Sequence, residues 1–405
     1  MFVNPLNPGI KQQSFGSLPI PTSQPVTANR LKKPPDQDLP RYLNFIADYT
    51  GCGHWRMLWP EHVLNAYRQC VIQSSTVMVT DPKYFHGVTC VRVQRQANES
   101  QRGYLKFLKE QVGVRLIYEI DDICFGEDIP KWNAFREAFT DNKIRNNIQA
   151  MMEYCDEMTV TCESMKNYFL KKTNQKNITV IPNYPTKTWI DRFYDSKKIS
   201  IRFDKNIKKP RLMYAGSSSH FDLQQKNNLQ DDMTHVIEAI KQTVDKYQWV
   251  FMGGVPLQLK EYVDNNKIEY HPWVHLHEYP YKVNQLNIDV MVAPLVDNIF
   301  NNCKSEIKFL EASALGIPMV AQDIVTYDRC KNKFETGEQM LNQIEQVLSS
   351  KKNYMTLCER NYSIVDKMWL ENENNRSKYF ELYKYSYGHH ERTNINKLNG
   401  HKKDN

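Results

Sequence analysis

The stretch Asn301-Asn302-Cys303-Lys304-Ser305-Glu306-Ile307-Lys308-Phe309-Leu310-Glu311-Ala312-Ser313-Ala314-Leu315-Gly316-Ile317-Pro318 decides how the rest of the chain is read. Over 304–315 the spacing predicts a helix. Ile307, Leu310 and Ala314 share one face and bury, while Gly316 and Pro318 stop it. A start near Ser305 leaves N–H groups unpaired beside Lys304, a seat suited to a pyrophosphate. Further in, Glu311 has two readings: a carboxylate accepting both ribose hydroxyls of a nucleotide, or a surface group paired with Lys308 one turn away.

Outward from this helix, apolar runs alternate with amphipathic segments. On the near side, Ile288–Val292 reads as a strand ending at Ala293-Pro294, and Met319–Ala321 as the strand that follows. Further back lie the strand Leu212–Ala215, leading into Gly216-Ser217-Ser218-Ser219, a helix at about 230–245, the strand Trp249–Met252 ending at Gly253-Gly254, and a short Ile268–Tyr270. An earlier cycle has strands at Tyr42–Ala47, Val77–Val79, Val88–Val93, Arg115–Ile120, Glu157–Thr161 and Ile178–Ile181, with helices near 55–66, 100–112, 142–154 and 163–171. Strands alternating with helices predict an α/β chain with parallel sheets. The expected domains are an extended or disordered arm over 1–40, which holds eight of the nineteen prolines, a Rossmann-like domain over 41–190, a basic linker over 191–210, a second Rossmann-like domain over 211–337 and a helical tail over 338–405.

Composition narrows the class. The 405 residues suit two domains, and 41% hydrophobic with 24% charged residues is globular. No run nears the roughly 20 apolar residues of a membrane span, and no secretory leader is expected. Nine cysteines without a CxxC pair read as reduced thiols in a cytoplasmic protein, which is the host cytoplasm for a phage-encoded chain. The formal charge is +7, yet thirteen Lys or Arg against three Asp between Lys166 and Arg211 give that stretch +10. It reads either as a solvated lysine-rich linker or as a basic lip for a polyanion, double-stranded DNA included.

Ligands of open parallel sheets sit beyond the carboxyl ends of the strands. Three such exits are glycine-rich or acidic: Gly51-Cys52-Gly53, Asp121-Asp122 and Gly216-Ser217. Glycine lets backbone approach a phosphate or sugar, though each loop alone is also an ordinary turn. His54 and Arg56, after the first loop, are placed to meet acceptor or donor phosphate. Trp55 and Trp59 read as packing residues, and His271, His275 and His277 as loop residues.

With these landmarks, LEASALGIP (310–318) resembles the donor-binding signature of the large retaining GT-B glycosyltransferase family that includes sucrose synthase and lipopolysaccharide sugar transferases. Similar landmarks run from Ala47–Gly53 through Val180–Asn183, Tyr214–Gly216 and Asp289–Pro294. The resemblance implies two Rossmann-like domains around a cleft, a nucleotide-sugar donor, UDP-linked by expectation, and no essential metal or other cofactor. Glu311 would bind ribose, and the amides of Ser305, Glu306 and Ile307 the diphosphate. Two departures stand out. The family's second glutamate, eight residues before Glu311, is Cys303 here. Its diphosphate-holding Arg and Lys are replaced by Gly216-Ser217-Ser218-Ser219-His220-Phe221-Asp222, so Lys304, Lys226 or His220 are the stand-in cations.

Tyr118-Glu119-Ile120-Asp121-Asp122 lies where the family often has a histidine. The IDD version is similar to phage and surface-polysaccharide sugar transferases. Asp121 or Asp122 would position the acceptor hydroxyl or act as its base, the alternative being a helix cap or loop carboxylate. The expected reaction is sugar transfer with retention. The acceptor is expected to be a hydroxymethylated pyrimidine in phage DNA, flipped into the cleft. The alternatives are a surface polysaccharide or lipid-linked glycan, and a non-catalytic nucleotide-sugar or nucleic-acid binding module.

Overall fold

The computed structural model describes residues 39–124, 126–206, 208–222 and 230–384. The arm expected over 1–40, the cation Lys226 and the end of the tail therefore lie outside the described residues, apart from positions 39 and 40. The described residues from Pro40 onward form one unit.

Two six-stranded sheets, parallel throughout, carry the fold. The first is built from β1 (Arg41–Phe45), β2 (Val71–Ser75), β3 (Val88–Gln94), β4 (Arg115–Glu119), β5 (Glu157–Val160) and β6 (Ile178–Val180), in the order β2-β1-β3-β4-β5-β6. The second contains β7 (Arg211–Gly216), β8 (Gln248–Gly253), β9 (Glu269–His271), β10 (Val290–Ala293), β11 (Met319–Gln322) and β12 (Asn332–Phe334), in the order β12-β11-β10-β7-β8-β9. Central strands such as β10, VMVA, are buried along their whole length, as expected when helices cover both faces of a parallel sheet. In each sheet the strand order reverses at one place, between β1 and β3 and between β7 and β10. A crevice for a ligand opens at such a point.

The strand expected at Val77–Val79 is absent; Val77 and Met78 are exposed, and β1 pairs with β2 on its outer side and β3 on its inner side. The chain after β1 forms one helical run from Gly51 through α1 (Trp59–Ala66), widened by a π-turn over His54–Leu58. Gly53 is required there, because a Cβ would overlap the Asp48 carbonyl oxygen. After the helices Glu99–Lys106 and Asn142–Tyr154 lie α2 (Glu163–Lys172) and α3 (Ser196–Asn206). The latter occupies the stretch expected as a linker, and it is helical because Ile199 and Phe203 bury in the second core. The helix expected at 230–245 narrows to Ile237–Thr243, since Asp231 first caps the turn at Met233 and Thr234.

The key helix, α4 (Ile307–Ala314), begins two residues after Ser305, with Glu306 at its N-cap. The tail comprises α5 (Gly337–Leu348), α6 (Lys351–Asp366) and α7 (Glu373–Lys384). The last of these returns to the first sheet. Tyr383 stacks on Tyr42 with ring centroids 4.8 Å apart and donates to Asn44 Oδ1 at 2.7 Å. Arg115 donates to the Leu382 carbonyl at 2.8 Å. One hydrophobic cluster consequently runs through both lobes, from Tyr42 and Trp55 to Leu310, Trp369 and Tyr383.

Candidate functional site

A cavity of about 560 Å³ lies between the lobes, where the carboxyl ends of both sheets converge. Its first-lobe wall is the β1 exit (Tyr49 to Cys52), Asp121 and Asp122 after β4, and Asn183 after β6. The second-lobe wall is the β7 exit (Ala215 to Ser217), His220, the loop Trp273 to Leu276, and the segment around α4. Both reversal points of strand order therefore open into the same space.

Glu311 lines this cavity and is not a surface carboxylate. Burial pushes its pKa up, partly offset by Lys308 and by a hydrogen bond with the Tyr279 hydroxyl. Burial pushes Lys308 the opposite way, with Glu311 opposing that effect and Lys304 adding to it. Lys308 donates to the Ala215 carbonyl at 2.8 Å, which ties α4 to the end of β7. Lys304 reaches across the cleft to Asp122 Oδ2 at 3.1 Å. Its burial favours the neutral amine, but Asp122 and Asp232 outweigh that and hold its pKa above the ordinary value.

His220 also lines the cavity. Its Nδ1 lies 2.7 Å from Asp232 Oδ2. The other oxygen of Asp232 accepts from Asn301 Nδ2 at 2.7 Å and the Val296 amide at 3.0 Å. Burial would raise the Asp232 pKa, but the His220 contact, the Val296 amide and the charge of Lys304 hold it below the usual range. Sequence reasoning missed Asp232, which lies in a turn between elements and has no local pattern around it.

Of the expected site residues, Gly51, Asp121, Asp122, Gly216, Ser217, His220, Lys304, Ser305, Ile307 and Glu311 come together around this cavity, the first three on one wall and the rest on the other. Four others do not line it. Gly53 serves the turn described above. Glu306 turns away to Arg329 at 2.5 Å, and burial raises its pKa to about 7 against the opposing pull of that arginine. His54 instead joins two histidines from the other lobe, with ring centroids 5.0 Å from His277 and 6.5 Å from His275. The two lie more than 200 positions away in sequence, so no local spacing announced the cluster.

Arg56 is the clearest correction. It is fully buried and is spent on the fold rather than on a phosphate. Its guanidinium bonds Glu119 at 2.5 Å, the Ile181 carbonyl at 2.6 Å and Asn183 Oδ1 at 2.9 Å. Arg92 also binds Glu119, and the two cations outweigh burial to keep that carboxyl's pKa low. Asn183 then donates to Ser305 Oγ at 2.8 Å. The buried arginine thus acts at second hand, fixing an amide that bridges the lobes at the entrance to α4.

The basic stretch is divided by the fold. Arg202 donates to the Gly316 carbonyl and the Tyr354 hydroxyl, and Arg211 pairs with Glu269. Lys171 and Lys172 line a second groove of about 380 Å³, between α2 and the segment Asp297–Cys303. Among the described residues, no group of three His, Cys, Asp or Glu side chains is arranged to hold a metal ion, and no helix is long and apolar enough to cross a membrane.

Two parallel α/β lobes facing one another across a cleft of nucleotide size define the two-domain GT-B architecture, and the chain has that fold. Among solved structures, it is similar to Anabaena HepE in complex with UDP and glucose (TM-score 0.58, 11% identity, 85% of this chain and 99% of that one). A HepE complex with UDP-glucose gives a TM-score of 0.56 at 11% identity over 84% of this chain and 99% of that one. TarM is similar over 75% of this chain and 57% of its own length, with 12% identity and a TM-score of 0.50. No family model and no curated protein matches the chain.

Proposed function

We propose that the protein is a glycosyltransferase that moves a sugar from a UDP-sugar to a hydroxyl acceptor. The observation that carries this reading is the placement of Glu311, Lys304, Lys308 and Ser305 on one wall of the interlobe cavity, opposite Asp121 and Asp122. In this reading Glu311 accepts the ribose hydroxyls. The backbone amides of Ser305, Glu306 and Ile307 at the start of α4, with Lys304 and Gly216-Ser217, take the diphosphate. The exposed ring of Trp273 at the cavity lip offers a face for the base. The HepE complexes with UDP and UDP-glucose, on the same fold, support uridine as the nucleoside.

The barrier to displacing a nucleoside diphosphate falls mainly by stabilising charge on the departing phosphate and by orienting the acceptor. The cations of the α4 wall supply the first. Asp121 or Asp122 supplies the second by accepting the acceptor proton; Asp122 is paired with Lys304 and Asp121 with Arg95. No metal is required by this arrangement, and the resemblance favours retention of configuration. For the acceptor we propose a hydroxymethylated pyrimidine in DNA. Its support is Lys171 of α2 at the second groove; Lys172 there is paired with Asp128, and Arg202 and Arg211 are engaged within the fold.

The test is incubation with UDP-sugars labelled in the sugar, with and without duplex DNA carrying hydroxymethylcytosine. Release of UDP with label on the DNA is the expected result. Release of UDP with label only on added glycans overturns the acceptor assignment. Absence of both binding and turnover with every UDP-sugar overturns the enzyme reading.

A further inference from the structure

The diphosphate wall holds one group whose chemistry exceeds charge neutralisation. His220 follows β7 in a single tight turn, Ser218–His220, and its ring faces the cavity. Asp232 Oδ2 occupies Nδ1 at 2.7 Å, so the ring nitrogen left for a ligand is Nε2. Asp232 is itself immobilised: it is 2% exposed, and its second oxygen is held by Asn301 and the Val296 amide. Asn301 is wholly buried in the short helix that leads to Lys304. A carboxylate anchored behind an imidazole fixes the tautomer and stabilises the imidazolium when it forms. An imidazole needed only as a structural donor would not require a buried carboxylate with every oxygen engaged.

Resting on the glycosyltransferase reading, we propose that His220 is the acid that protonates the leaving diphosphate, with Asp232 as its positioning residue. As the bond from the anomeric carbon to the diphosphate oxygen breaks, the His220 Nε2 proton passes to a phosphate oxygen. The new bond forms between the anomeric carbon and the acceptor oxygen, whose proton goes to Asp121 or Asp122. After UDP leaves, solvent carries one proton from that carboxyl and returns one to the imidazole, so each turnover is balanced.

Among the described residues, the charged groups acting on the ring are Asp232, Lys308 and Lys304. Burial lowers the His220 pKa; Asp232 opposes that and the two lysines reinforce it. A bound diphosphate brings negative charge against the lysines and removes their repulsion. His220 therefore takes up a proton when the donor binds, and this is directly measurable.

The experiment is calorimetric titration of the full chain with UDP-glucose near neutral pH, in buffers of different ionisation enthalpy. UDP-glucose is the probe because its diphosphate carries no proton to lose there. The expected result is uptake of about one proton per site. That uptake vanishes in His220→Gln and shrinks in Asp232→Asn, His220→Gln binding UDP-glucose more weakly than wild type but measurably. In the pH profile of turnover, the limb for the required acid moves to lower pH in Asp232→Asn. Binding enthalpies identical in all buffers, or uptake that survives in His220→Gln, overturn the proposal while leaving the enzyme reading intact. Failure of UDP-glucose and UDP to bind the wild-type chain removes both. Wild-type titrations stand as a test even where a variant fails to fold.

Discussion

Asp289 is 1% exposed and accepts the Arg211 amide at 2.8 Å. That partner offsets little of its desolvation, so burial raises its pKa from 3.8 to about 6. Between those values the native carboxyl keeps a proton that the unfolded one has lost. Stability therefore falls as pH rises through this window. Asparagine keeps the acceptor without the charge. Asp289→Asn is expected to gain on wild type by roughly 1–2 kcal/mol between about pH 5 and pH 8, read from urea unfolding at both. A constant difference would contradict the assignment. At this scale the sequence revealed residue types but not their surroundings. Glu311 and Arg56 both read as ligand groups, and only tertiary packing opens one to the cavity and seals the other under Glu119.

Among elements, legibility followed burial. Central strands such as β4 and β10 read correctly as apolar runs because helices cover both their faces. The two unread strands are edges. The sequence of β2, VIQSS, has two apolar residues and one fully buried side chain, and β12 is the three-residue NKF. β2 buries too little, and β12 is too short, to impose a pattern. The tail helix α7 was legible as a helix, but not its destination against β1, which depends on Tyr383 meeting Tyr42 and Asn44 over 300 residues away. Tyr383→Ala should cost about 3–5 kcal/mol in denaturant unfolding, as other large core truncations do. A loss under about 1 kcal/mol would mean that α7 is an ornament rather than part of the first lobe.

For the whole molecule, the two-lobed plan was readable because it is written twice, as two successive strand–helix cycles. The apposition of the lobes was not written anywhere locally. It rests on contacts such as Asn183 to Ser305 and Lys304 to Asp122, which join positions far apart in the chain. The same contacts shape the cavity, so folding and the proposed donor site share their residues. The account stands on Glu311 gripping the ribose of a uridine nucleotide in that cavity. The most direct test is a UDP titration of wild type and Glu311→Ala. The account predicts binding to wild type and a loss of about 10- to 100-fold in the variant, the worth of charge-assisted hydrogen bonds, with an unchanged unfolding midpoint in the absence of nucleotide. Equal UDP affinity in the two proteins would contradict it.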